Sequence, residues 1–261
     1  MIAPSQLRLI FVTGTDTGVG KTLLTALLLH HLRSSGVPAL ALKPFCSGTR
    51  ADVSLLRALQ DHDLTAGEIN PFYFASPVAP LVAARRRQHA IRAGEVLQHV
   101  RTVAARLAAT ARSKRNQRGA NSRPAVLLVE GAGGLLAPLG EGLTARELIA
   151  RLHCDTLIVA RNRLGTINHT LLTVEALQSK RLRSSNARER PSRRQSRPPK
   201  IVLMDQPTPD CSCSSNASIL AELLAPLPLL RLPFLGPNRC TAIAVKESAA
   251  RVKETLERIL W

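Results

Sequence analysis

The chain has 261 residues, 45% of them hydrophobic but only 3% aromatic, and a formal net charge of +18. That length accommodates one large α/β domain over residues 1–261, with an interior built from Leu, Ala and Val. No apolar run approaches the roughly 18 residues a membrane-spanning helix needs, which excludes a transmembrane class.

The charge at first points to nucleic acid, but its distribution argues otherwise. Residues 180–200 hold nine Lys/Arg and one Glu, and residues 112–123 hold five Lys/Arg and no acid. These two stretches carry +13 of the +18, so the body of the chain is mildly basic. Met1-Ile2-Ala3-Pro4-Ser5 lacks a basic segment followed by an apolar core, and no secretory signal is read. Five cysteines, at positions 46, 154, 211, 213 and 240, form no disulfide framework and imply a reducing compartment. A cytoplasmic protein is expected. Cys211-Ser212-Cys213 has no second ligand pair at zinc spacing, so no metal is expected there.

Leu7 to Val12 reads as a buried first strand. Gly14-Thr15-Asp16-Thr17-Gly18-Val19-Gly20-Lys21-Thr22 follows, and Leu23 to Leu32 reads as a helix ending near Gly36. Strand, glycine-rich turn and helix are the setting of a phosphate-binding loop. Glycines let several backbone N–H groups converge on one oxyanion. The helix N-terminus adds a partial positive charge and Lys21 a full one. The Thr22 hydroxyl is placed to ligate Mg²⁺. The usual spacing is G-x-x-x-x-G-K-[ST], whereas Gly14 lies one residue further from Gly20, so this is a longer variant.

Val37 to Leu42 reads as a second buried strand. It delivers Lys43-Pro44-Phe45-Cys46-Ser47-Gly48 at its carboxyl end, where ligands bind in open α/β sheets. Asp52 opens a helix, Val53 to Leu59. Ile69 to Pro80 is proline-rich and reads as a loop that packs near the site through its aromatics. Gly94 to Ala111 has helical periodicity, and Arg112 to Pro124 reads as a basic linker. Ala125 to Val129 is a third strand ending in Glu130-Gly131-Ala132-Gly133-Gly134. An acid at a strand end followed by glycines suits a direct or indirect Mg²⁺ ligand with phosphates passing close to the backbone.

Thr144 to Leu152 reads as a helix and Thr156 to Ala160 as a strand. Leu164-Gly165-Thr166-Ile167-Asn168-His169 opens a helix running to Gln178. Residues 180–200 lack apolar periodicity and read as a disordered insertion with little role in catalysis. Ile201 to Asp205 is a strand, Ser218 to Leu224 a helix, and Leu227 to Leu232 a strand leading to Pro233-Phe234. Glu247 to Leu260 is a C-terminal helix. The alternation predicts an α/β fold of the P-loop NTPase type, with a mainly parallel sheet of about seven strands covered by helices on both faces.

Five segments together resemble the dethiobiotin synthetases. These are the extended phosphate loop, Lys43 to Gly48 as K-P-x-x-S-G, Asn70-Pro71-Phe72 to Pro80, Val129 to Gly134 as V-E-G-A-G-G, and Leu164 to His169 as L-G-x-I-N-H. The resemblance implies an ATP- and Mg²⁺-dependent ligase of biotin synthesis. Such an enzyme closes a cyclic urea from 7,8-diaminononanoate and CO₂ through a carbamate and its phosphoric anhydride.

It further implies that Gly18, Val19, Gly20, Lys21, Thr22 and Leu23, with Asp52, Glu130, Gly131, Ala132 and Gly133, bind ATP. Asp205, Leu232, Pro233 and Phe234 would also bind ATP, with Asp205 in the segment that meets the base. Lys21 and Lys43 would be catalytic, with Thr22, Asp52 and Glu130 on Mg²⁺. Thr17, Ser47, Gly165, Thr166, Ile167 and Asn168 would bind the diamine substrate, the last four serving the neighbouring subunit of a homodimer.

The chain departs from the family pattern in two places. Many members carry Glu where Gly18 stands. Asn-Asp or Asn-Arg often replaces Met204-Asp205-Gln206, which leaves the base preference open. The alternative is a partitioning-type P-loop ATPase that binds nucleic acid through its basic segments. Those proteins carry a signature lysine near the loop start, where Thr15, Asp16 and Thr17 stand here.

Overall fold

The computed structural model describes residues 7–118, 123–179, 197–237 and 241–261. In chain order its strands are β1 (Leu7–Gly14), β2 (Ala39–Leu42), β3 (Phe45–Ser47), β4 (Phe72–Phe74), β5 (Ala125–Glu130), β6 (Pro138–Gly140), β7 (Leu143–Thr144), β8 (Asp155–Arg161), β9 (Lys200–Met204) and β10 (Leu229–Leu232). The helices are α1 (Lys21–Ser34), α2 (Ala51–Leu59), α3 (Ala66–Ile69), α4 (Pro80–Arg86), α5 (Ala93–Arg118), α6 (Ala145–Leu152), α7 (Thr166–Gln178), α8 (Asn216–Leu223), α9 (Ala242–Arg251) and α10 (Lys253–Leu260).

Six parallel strands form the central sheet in the order β10-β9-β8-β1-β5-β2. Their side chains explain the parallel pairing. Every residue of β5 and of β2 is buried, as expected when helices cover both faces. The central sheet thus has six strands where about seven were expected. The remaining four strands form two short pairs outside it, β3 with β4 and β6 with β7.

Chain order reverses at β1, with β5 on one side and β8 on the other. That is where open parallel sheets bind ligands, beyond the carboxyl ends of the strands. Register sets what arrives there. Val12 pairs with Glu130, Gly14 with Val159, and Leu42 with Val129. The end of β1 therefore lies between Glu130 and the residues that close β8, and Lys43 follows directly beside Glu130.

Three sequence expectations change. The proline-rich stretch from Ile69 to Pro80 is not a plain loop: it contains β4, and Pro80 opens α4 at a position where its missing N–H costs nothing. The basic stretch from Arg112 does not leave the helix, because α5 runs to Arg118. The C-terminal helix breaks at Val252 (φ −118°, ψ 22°) into α9 and α10. Of the expected insertion, residues 180–196 lie outside the described residues, and Lys200 opens β9. Among the described residues no helix is long and apolar enough to cross a membrane.

Candidate active site

Gly20 is the N-cap of α1 and holds a left-handed conformation, φ 105°. A Cβ at Gly20 would lie 3.0 Å from the Met204 Cε, so the loop needs glycine there both for backbone freedom and for the methionine packed on it. Lys21 Nζ donates to the Asp16 carbonyl at 2.7 Å and closes the loop on itself. Burial pushes the Lys21 ammonium down to about 8, and nearby Lys43 adds to that against the pull of Glu130. A phosphate would supply the negative charge this lysine lacks.

Beside the loop, one tight cluster joins the ends of β2 and β5 to the first turns of α1 and α2. Lys43 Nζ donates to Glu130 Oε1 at 2.7 Å, to Thr22 Oγ1 at 3.1 Å, and to Asp52. Thr22 Oγ1 lies 2.6 Å from Glu130 Oε1 and 3.0 Å from Asp52 Oδ2. It has one proton to give, and the shorter contact assigns it to Glu130. Burial alone would lower the Lys43 pKa. Glu130 and Asp52 overcome that and hold it above the usual lysine value, so the ammonium stays charged.

Glu130 is fully buried, and its Oε2 has no hydrogen-bond partner. A buried carboxylate oxygen without a donor is costly. Two carboxylates and a hydroxyl are hard oxygen donors of the kind Mg²⁺ takes, with phosphate oxygens completing its shell. The orphaned Oε2 beside Thr22 and Asp52 therefore fits a Mg²⁺ ion. Among the described residues no group of three or more His, Cys, Asp or Glu is arranged to hold a metal ion.

The Asn70 region exists to fix Lys43. Asn70 is buried, and its Nδ2 donates to the carbonyls of Lys43 (3.0 Å) and Pro44 (3.1 Å). The Lys43 N–H bonds the Ile69 carbonyl at 3.0 Å. Phe45 stacks on Phe72 with centroids 5.2 Å apart. The expectation that these aromatics pack near the site is met through this backbone clamp.

The other expected residues divide. Ser47 Oγ and Thr166 Oγ1 are buried without hydrogen-bond partners. Thr17 and Asn168 are exposed and Ile167 is half-buried. Gly165 caps α7 at φ 90° with no side-chain cap. The start of α7 borders the chain's own phosphate loop: Thr166 and His169 line a pocket with Thr15, Asp16 and Val19. Val19 itself is buried, and Leu23 packs on the core. The Gly131 N–H is spent on the Val12 carbonyl at 2.9 Å, while a Cβ at Gly133 would lie 3.8 Å from Thr17 Oγ1. The turn that includes Ala132 thus backs the phosphate loop.

At the base end, Asp205 is already engaged. It accepts from Asn162 Nδ2 at 2.8 Å and from Arg231 Nε at 2.8 Å and 2.9 Å. Leu232 is fully buried and its carbonyl already accepts from the Asp205 N–H at 2.9 Å, whereas Phe234, which follows Pro233, is 40% exposed. Sequence reasoning missed Arg161 and Asn162. The signal was present, because both close a buried strand as Lys43 and Glu130 do.

A phosphate loop on the central strand, with a buried acid on the neighbouring strand end, defines a P-loop enzyme that handles a nucleotide. A family model described as "AAA domain" matches residues 8–187. The ATP-dependent dethiobiotin synthetase BioD of Anaeromyxobacter sp. (strain Fw109-5) is 41% identical over 67% of this chain and 73% of its own. That of Anaeromyxobacter dehalogenans (strain 2CP-1) is 36% identical over 87% and 91%. That of Bacillus subtilis (strain 168) is 38% identical over 66% and 70%. Among solved structures, the MinC:MinD cell division protein complex of Aquifex aeolicus matches with a TM-score of 0.51 over 97% of this chain and 96% of the other. At 14% identity that likeness shows the fold alone. The chain belongs to the ATP-dependent dethiobiotin synthetases, ATP-dependent ligases of biotin biosynthesis, and the partitioning-type alternative is not favoured.

Proposed function

We propose that this enzyme closes the ureido ring of dethiobiotin from 7,8-diaminononanoate and CO₂, through a carbamate that ATP phosphorylates. The cluster of Lys43, Thr22, Asp52 and Glu130 carries the reading. A carbamate and a transferring phosphoryl group are both anionic, and fixed cations in a water-poor site stabilise them far better than water does. Lys43 counters charge on the carbamate and the phosphoryl group, and Lys21 counters it on the β/γ-phosphates. Ser47 and Thr17 orient the carbamate end, Ser47 through its partnerless hydroxyl. Thr22, Asp52 and Glu130 would hold Mg²⁺, which when bound neutralises phosphate charge.

The second amine then attacks the mixed anhydride, and phosphate leaves with the former carbamate oxygen. This fixes an isotope outcome. Starting from C¹⁸O₂, with its exchange into water suppressed by short reaction times, the released phosphate is expected to carry one ¹⁸O. Unlabelled phosphate would contradict the anhydride.

A homodimer with shared sites is part of this proposal. Leu164 is 76% exposed and Leu172 55% exposed on and beside α7, and apolar side chains so placed fit burial against a second copy. Mixing Lys21→Ala chains with Asn168→Leu chains is expected to restore activity, since one site of each mixed dimer carries no lesion. Absence of recovery, with subunit exchange demonstrated, would mean that each site is built from one chain.

A further inference from the structure

Arg161 closes β8 and turns onto the phosphate loop. Its Nη2 and Nε both donate to the Gly18 carbonyl, at 2.7 Å and 3.1 Å. A guanidinium has five N–H donors, and two are spent on that oxygen. Among the described residues no carboxylate forms an ion pair with it. The full charge and three donors are therefore left uncommitted at the wall of the pocket where Thr15, Asp16 and Val19 face Thr166 and His169.

Gly18 is part of the same device. An added Cβ would fall 2.6 Å from Arg161 Nη2, inside contact distance, and Gly18 holds φ 70°, which an L side chain rarely adopts. Glycine at position 18 leaves room for the guanidinium.

A cation hooked onto a phosphate-loop carbonyl is already oriented before the nucleotide arrives. A preorganised charge of that kind acts on the charge that develops in transfer, without reorganisation at the moment of reaction. An arginine supplied from within the chain is a recognised way to stabilise a phosphoryl group in transit.

We propose that Arg161 is a catalytic residue that contacts the phosphoryl group as it passes from ATP to the carbamate. The proposal rests on the reaction proposed above. In the step, the bond from the terminal phosphorus to the ADP oxygen breaks and a bond to the carbamate oxygen forms. Arg161 neither takes nor gives a proton; it balances charge on the transferring oxygens.

The test separates binding from chemistry. Single-turnover rate and ATP affinity are measured for Arg161→Ala, Arg161→Lys and Gly18→Ala, and for the Gly18→Ala/Arg161→Ala pair. Arg161→Ala is expected to lower the rate by about 10²-fold or more, with ATP affinity changed less than about threefold. Arg161→Lys, which keeps the charge but loses the fork, is expected to recover part of the rate. Added guanidinium ion at non-denaturing millimolar levels is expected to raise the Arg161→Ala rate saturably. Gly18→Ala, which unseats the guanidinium, is expected to slow the parent but to add little to Arg161→Ala.

An Arg161→Ala rate within about threefold of the parent would overturn the proposal, as would a loss of affinity equal to the loss of rate. If Arg161→Ala is insoluble, Arg161→Gln carries the same expectations. A parent protein with no diamine-dependent ADP release would instead overturn the underlying reaction. An active parent with an equally active Arg161→Ala overturns only this role.

Discussion

Lys43→Gln is expected to lower single-turnover phosphoryl transfer by about 10²–10³-fold while leaving ATP affinity within a few-fold. Lys43 touches Thr22, Asp52 and Glu130 but no element of the base end. Its charge is secured by two carboxylates, so the alkaline limb of the kcat/KM profile belongs to Lys21, whose pKa is lowered to about 8. Below that value Lys21 is charged and can hold phosphate; as pH rises through it, the charge is lost. In Lys43→Gln the limb is expected to persist but to move to higher pH, because the nearby Lys43 charge is part of what lowers the Lys21 pKa.

The substitution has a second signature. It removes the cation from fully buried Glu130. Breaking a buried pair by deleting one partner costs about 3–5 kcal/mol. The metal-free variant is therefore expected to melt several degrees lower, and Mg²⁺ with ADP to restore more stability in the variant than in the parent. An ATP affinity that falls as far as the rate would make Lys43 a ground-state phosphate binder.

Glu130→Gln is expected to lower turnover by about 10²–10³-fold at limiting Mg²⁺ with the fold intact. The replacement is isosteric, and Asp52 continues to compensate Lys43. What disappears is the anionic oxygen pair whose Oε2 has no protein donor. Raising Mg²⁺ should recover part of the loss, because the defect lies in cation affinity. Turnover near that of the parent at limiting Mg²⁺ would remove Glu130 from the metal site.

How much of this was legible in the sequence follows from where the information is local. The strands β1 and β5 each carry an unbroken apolar run, Leu9 to Val12 and Ala125 to Val129, and their terminal residues, Gly14 and Glu130, fall at the site because parallel strands deliver their carboxyl ends together. Lys43 followed by the same rule. Strand β4 was not legible, because three residues carry no period and its partner β3 lies 25 or more residues away. Prolines on either side made the stretch look irregular. The end of α5 was hidden by composition: Arg, Lys and Ala are good helix formers without an apolar stripe, and a basic run reads equally as a linker. The break at Val252 has no sequence punctuation, since neither Gly nor Pro marks it. Arg161 was overlooked although it closes a buried strand, because its contact with the loop runs to a backbone carbonyl 143 residues away, a pairing that no residue type records.

The most direct measurement is ADP release in a coupled assay with purified protein, Mg²⁺ and ATP, run with and without 7,8-diaminononanoate and bicarbonate. The cluster around Lys43 predicts release that requires both substrates together and matches dethiobiotin formation one to one. ADP release that ignores the diamine, or that rises with DNA in its place, would contradict the account.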